Sequence, residues 1–75
     1  MGSFVDVRGM SCADAVVRVH RAMEAAPRGG TVTVRTDDPV ALIDFKAYAD
    51  NKGHKWGARR ALEGGVTEVE ITRVA

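Results

Sequence analysis

The spacing of apolar positions switches between two residues and three-to-four residues along this chain, and the switches predict its elements. Phe4 to Arg8 alternates, with Val5 and Val7 on one side and Phe4, Asp6 and Arg8 on the other. That period is a short strand. Gly9 follows and permits a turn that a Cβ would resist. From there to about Ala26 the apolar residues Val16, Val19, Met23 and Ala26 recur three and four apart, with Val17 and Ala22 widening the stripe. An amphipathic helix is expected there. Its start is open between two caps. Ser11 with Asp14 three residues later reads as a capping box. The alternative puts Cys12 itself at the cap, with helix from Ala13. Arg18, Arg21 and Arg28 fall on another face, and Pro27 with Gly29-Gly30 ends the helix.

Thr31 to Thr36 is β-branched at every position but Arg35, which marks a second strand. Val32 and Val34 point one way. A helix between two strands is a βαβ unit, so the strands are expected parallel with a right-handed crossover. Asp37-Asp38-Pro39 is the clearest helix start in the chain: Asp38 suits the cap and Pro39 the first helical position. The second helix runs to about Lys52. Ala41 or Leu42, Phe45, Tyr48, Ala49 and Lys52 form its expected buried side, and Gly53 supplies a left-handed stop. His54 to Leu62 mixes Trp56, Ala58 and Leu62 with Lys55, Arg59 and Arg60, a pattern suited to an edge strand. Gly64-Gly65 reads as a hairpin turn. Val66 to Val74 then puts Val69 and Ile71 on one face and Glu68, Glu70 and Thr72 on the other, as an inner strand would. The order βαβαββ predicts an α/β two-layer sandwich. Both helices cover one face of a four-stranded mixed sheet and leave the other face wetter.

Composition changes this picture only by exclusion. Seventy-five residues predict a single domain over 1–75. One cysteine leaves no internal disulfide, and a net charge of +1 gives no global reason to expect nucleic acid or a membrane surface. No apolar run is long enough to span a bilayer, and the first residues lack the basic-then-apolar layout of a signal peptide. A cytoplasmic protein with its thiol free to react is expected.

Cys12 is the position with chemistry. A cysteine where a strand turns into a helix faces free N–H groups and the positive end of the dipole, which favour a thiolate. Arg8 would add to that and Asp14 would oppose it, so the net shift stays open. Disulfide reduction lacks a second cysteine. A protease-type pair with His20 or His54 lacks room for a cleft in so short a chain. The two histidines do not have the spacing of a metal site. Phe45, Tyr48 and Trp56 read as core, and Lys55, Arg59 and Arg60 as edge protection.

Val5-Asp6-Val7-Arg8-Gly9-Met10-Ser11-Cys12 resembles the opening of the TusA family of small sulfur-carrier proteins, also called SirA-like. That family reads apolar-Asp-apolar-Arg-Gly-Leu-x-Cys-Pro-x-Pro. The likeness covers nearly the whole chain. Thr36-Asp37-Asp38-Pro39 matches the exit of the family's second strand, Asp44-Phe45 stands where it has Asp-Ile-Pro or similar, and Gly53-His54 matches the opening of its third strand. The chain departs at the two motif prolines, where Ala13 and Ala15 stand on either side of Asp14. The resemblance implies a βαβαββ fold with sheet order 1-2-4-3 and an antiparallel fourth strand. It also implies that Cys12 accepts sulfur as a persulfide from a cysteine desulfurase or rhodanese-type donor and relays it to an acceptor protein. The family's destinations include tRNA thiolation, molybdenum-cofactor work and sulfur oxidation. Such a relay needs an exposed nucleophile and no pocket, and implies no cofactor or metal. Arg8, Asp14, Arg18 and Arg21 are the candidate partner contacts around Cys12, and no direct contact with nucleic acid is expected. The alternative is a non-catalytic interaction or regulatory module of the same fold, with RNA or DNA binding as one version.

Overall fold

The computed structural model describes residues 3–74. In chain order it contains β1 (Ser3–Asp6), α1 (Cys12–Ala25), β2 (Thr31–Thr36), α2 (Pro39–Lys52), β3 (Lys55–Ala61) and β4 (Thr67–Thr72), with one short 3-10 turn at Glu63–Gly65. The sheet order is β1-β2-β4-β3. β1 lies parallel to β2, and β4 is antiparallel to both of its neighbours. This is the α/β sandwich and the inner last strand that the sequence pattern and the resemblance together predict.

Alternation decides which face is covered, because successive side chains on a strand point to opposite sides. Val5, Val32, Val34, Val69 and Ile71 share one face and are buried. Against them α1 lays Ala15, Val19, Met23 and Ala26, and α2 lays Ala41, Leu42, Phe45 and Ala49. Phe45 and Met23 are the largest side chains fully removed from solvent.

Several expectations need correction. β1 ends at Asp6 rather than Arg8, although the Val7 N–H still donates to the Arg35 carbonyl at 2.9 Å. Val17 does not widen the buried stripe; it is 50% exposed. It stands two residues from both Ala15 and Val19, about 200° around the helix from each. Lys52 is exposed, as a cation in the last turn of a helix can be without cost. Gly64 and Gly65 form a 3-10 turn with Glu63, both at positive φ, rather than a two-residue hairpin. β3 carries an irregularity between Trp56 and Arg59. Gly57 is needed there, since a Cβ on it would meet the Glu70 carbonyl oxygen at 2.9 Å.

The uncovered face also differs from expectation at one point. Alternation points Glu68 into water, yet it is only 6% exposed. Arg35 of β2 and Arg60 of β3 stand directly opposite it in register, and each donates to it at 2.8 Å. Those two guanidinium groups hold the Glu68 carboxyl below its ordinary pKa, Arg35 first. Cross-strand pairs of this kind tie a sheet together on the side that no helix covers.

Candidate functional site

Two parallel neighbouring strands, each followed by a helix that packs on the same face, bring both helix starts to one end of the sheet. The loops meet there: the Gly9 N–H donates to Asp37 Oδ1 at 3.3 Å. Gly9 stands at φ 77°, a conformation that favours glycine. Ser11 is the cap of α1; its backbone is extended and its Oγ accepts the Asp14 N–H at 3.3 Å. Of the two caps left open by the sequence the structure takes Ser11, so Cys12 is the first residue inside the helix. Asp38 caps α2, with Oδ1 accepting the Val40 N–H at 2.9 Å and Pro39 in the first turn.

Cys12 is a free cysteine, half-buried, and packs against the rim of the core. Its flank of α1 faces α2, and its Sγ donates a hydrogen bond to Oδ2 of Asp44. The consequence runs against the expectation from the helix dipole. The thiol is pushed up to about 11, first by the hydrogen bond to the Asp44 carboxylate, then by burial, then by the negative charges of Asp44 and Asp38. A carboxylate beside a thiol stabilises the S–H form and repels the thiolate.

Asp44 is the site residue that the sequence reading did not assign. Residues 12 and 44 meet only because the two helices run side by side from the same end of the sheet, and no local pattern encodes which side of α2 turns toward Cys12. The one available signal was its match to the aspartate of the family's Asp-Ile-Pro segment.

The other candidates are placed as follows. Arg8 lies in the loop before the cysteine and is locked onto Asp6, with contacts of 2.6 to 3.1 Å. This pairing holds the Asp6 carboxyl below its usual range. Asp14, Arg18 and Arg21 are all exposed. Spaced i, i+4 and i+7, they form one stripe on α1. The stripe begins in the first turn beside Cys12 but turns away from α2, so the structure does not gather these three around the sulfur. His20 stands two turns along α1, where its Nδ1 contacts the Tyr48 hydroxyl at 3.2 Å. His54 Nδ1 accepts the Val74 N–H at 3.3 Å. Neither histidine serves Cys12. Among the described residues no cluster of His, Cys, Asp and Glu could hold a metal ion, and no helix is long and apolar enough to cross a membrane. A shallow groove of about 500 Å³, with Leu42, Ile43 and Trp56 in its lining, lies between α2 and β3, on the side of α2 away from Asp44.

The fold and this site define a small α/β domain that presents a single thiol at paired helix starts. The chain belongs to the TusA sulfurtransferase family, whose sequence profile matches residues 3–73. It is 32% identical over 62 residues to a protein of Archaeoglobus fulgidus named "Putative sulfur carrier protein", an alignment covering 83% of this chain and 80% of that one. Its fold is similar to the crystal structure of the SirA-like protein from Desulfitobacterium hafniense, with a TM-score of 0.85, 28% identity and full coverage of both chains. Family and relative together support a sulfur-carrier role.

Proposed function

We propose that this protein carries sulfur as a persulfide on Cys12 between a donor protein and an acceptor protein in the cytoplasm. The observation that carries the reading is the placement of the chain's single cysteine, free and half-exposed, at the start of a helix in a sulfurtransferase-family fold. The Cys12 thiolate attacks the outer sulfur of a donor persulfide, R–S–SH. The donor S–S bond breaks, R–S⁻ leaves and takes up the proton that Cys12 gave up, and Cys12–S–SH forms. An acceptor thiolate then attacks the outer sulfur and returns Cys12 to a thiol. Sulfur changes hands without any net oxidant. The donor is of cysteine desulfurase or rhodanese type. The stripe of Asp14, Arg18 and Arg21, with Arg8 at its head, is the surface we assign to partner contact, since it begins in the same turn as the cysteine.

Intact mass after incubation with a cysteine desulfurase and cysteine, or with a polysulfide, tests this. One added sulfur, removed by dithiothreitol and absent from Cys12→Ser, is expected. Reversal of charge in Arg18→Glu/Arg21→Glu should raise the donor concentration needed for half-loading. Loading of Cys12→Ser like the wild type would sink the carrier reading, and unchanged half-loading would sink the stripe alone. A second reading, a non-catalytic interaction module, draws on the raised thiol pKa, which leaves little thiolate at neutral pH. It predicts no sulfur gain from either donor.

A further inference from the structure

Among the described residues, the charges that act on the Cys12 sulfur are negative. From α2 these are Asp44, which accepts the thiol hydrogen bond, and Asp38 at the cap. On α1 itself the nearest ionisable group is Asp14, turned outward with its N–H on Ser11. Asp37, in the loop after β2, is engaged with the Gly9 N–H. The cation of the neighbouring loop, Arg8, is spent on Asp6. A nucleophile held this way is protected rather than activated. Beside Asp44, one turn back on α2, Val40 is 57% exposed, so the carboxylate is open to approach from outside.

We propose that Asp44 is a gate on Cys12: it holds the thiol in its protonated form until a partner sets a lysine or arginine side chain against the carboxylate. The proposal rests on the carrier reading for its purpose, since a carrier must not spend its thiol on passing electrophiles. It identifies Asp44 as a positioning residue and the partner group that meets it as a lysine or arginine. Pairing Asp44 with a cation removes both its charge and its hold on the thiol proton. The thiolate then forms where the donor persulfide is already docked.

The test is the pH dependence of alkylation by iodoacetamide, which needs no sulfur donor and so stands apart from the carrier reading. In the wild type the rate should follow a thiol pKa of about 11. Asp44→Asn, close in shape but uncharged, should move the profile down by about one to two units. Thiolate gains at pH 8 are partly offset by lower nucleophilicity, so the rate there should rise by about 3- to 10-fold. Glu70→Gln removes a carboxylate charge from the uncovered face of the sheet and should leave the profile in place. Val40→Arg supplies the partner's cation in cis, one turn from Asp44, and should also raise the rate at pH 8. That rise should vanish when Val40→Arg is combined with Asp44→Asn. The gate is overturned if Asp44→Asn superimposes on the wild type, if Glu70→Gln shifts it equally, or if Val40→Arg acts the same with and without Asp44. Faster alkylation in Asp44→Asn with no sulfur gain from any donor would leave the gate standing and remove the carrier reading.

Discussion

The two helices start at the same end of the same sheet, yet their starts are built differently. α2 is fixed twice, by the Asp38 side chain on the Val40 N–H and by Pro39 with its locked φ. α1 is fixed once, by Ser11 on the Asp14 N–H. It carries Cys12 where α2 carries a proline, with Ala13 and Ala15 behind it. Taken alone, the α1 start would make a more acidic thiol. A helix start shifts an exposed acid by less than about one pKa unit, however, while the hydrogen bond to Asp44, burial and the charges of Asp44 and Asp38 together push Cys12 the other way, to about 11. A direct hydrogen bond to a carboxylate outweighs a terminal dipole. The reactivity of α1's cysteine is therefore set by α2.

The broadest way to break this comparison is to loosen α2. Phe45 follows Asp44 and is fully buried under the sheet. Phe45→Ala removes the largest core side chain and should cost about 3–5 kcal/mol. Domains of this size have stabilities on the order of 0.05–0.15 kcal/mol per residue, so that loss would consume much of the total. Urea denaturation should show a sharply lowered midpoint, and the thiol of the surviving folded fraction should alkylate faster. A midpoint close to wild type would mean that α2 is not the frame on which Asp44 is held.

A narrower change alters α1 alone. Proline disfavours the helical region for the residue before it. Ala13→Pro should therefore push Cys12 out of the helix and make it the cap, the alternative that Ser11 displaces in this chain. Sγ would swing relative to Asp44, and alkylation at pH 8 should rise by about threefold through a thiol pKa lowered by about one unit. Ala15→Pro is not equivalent, since the Ala15 N–H donates to the Ser11 carbonyl at 2.9 Å and that bond would be lost. A profile unchanged by Ala13→Pro would show that the choice of cap does not set the approach of the thiol to Asp44.

These features were unequally legible in the sequence. The β-branched run of β2 and the Asp38-Pro39 start of α2 are local signals, and each predicts its element without help from the rest of the chain. The parallel β1–β2 pair follows from the helix between them. The place of β4 between β2 and β3 came from the family resemblance, because alternation says that a strand is inner without saying between which neighbours. What stayed hidden is non-local. Glu68 alternates outward like any wet residue, and only the register that sets Arg35 and Arg60 opposite it explains its burial. Cys12 and Asp44 are joined by helix packing across 32 positions. The sign of the thiol's shift, open from the α1 start alone, is therefore set by α2. Val17 is exposed for a simpler reason: it is apolar but stands two positions off the stripe.

The finest test separates the two things Asp38 does. Its side chain caps α2, and its charge reaches Cys12 as the weakest of the influences that raise the thiol. Asparagine caps as well as aspartate, so Asp38→Asn should leave the denaturation midpoint nearly unchanged. The same variant removes one negative charge near the sulfur. The thiol pKa should fall, by less than in Asp44→Asn, because the hydrogen bond to Asp44 remains. Alkylation at pH 8 should rise by less than about threefold, and more so at low salt, where charges across solvent are less screened. Only above about pH 11, where both thiols are ionised, should the two profiles converge. If Asp38→Asn matched Asp44→Asn in size, long-range charge rather than the direct Cys12–Asp44 contact would govern the thiol, and the difference between the two helix starts would reduce to a count of nearby carboxylates.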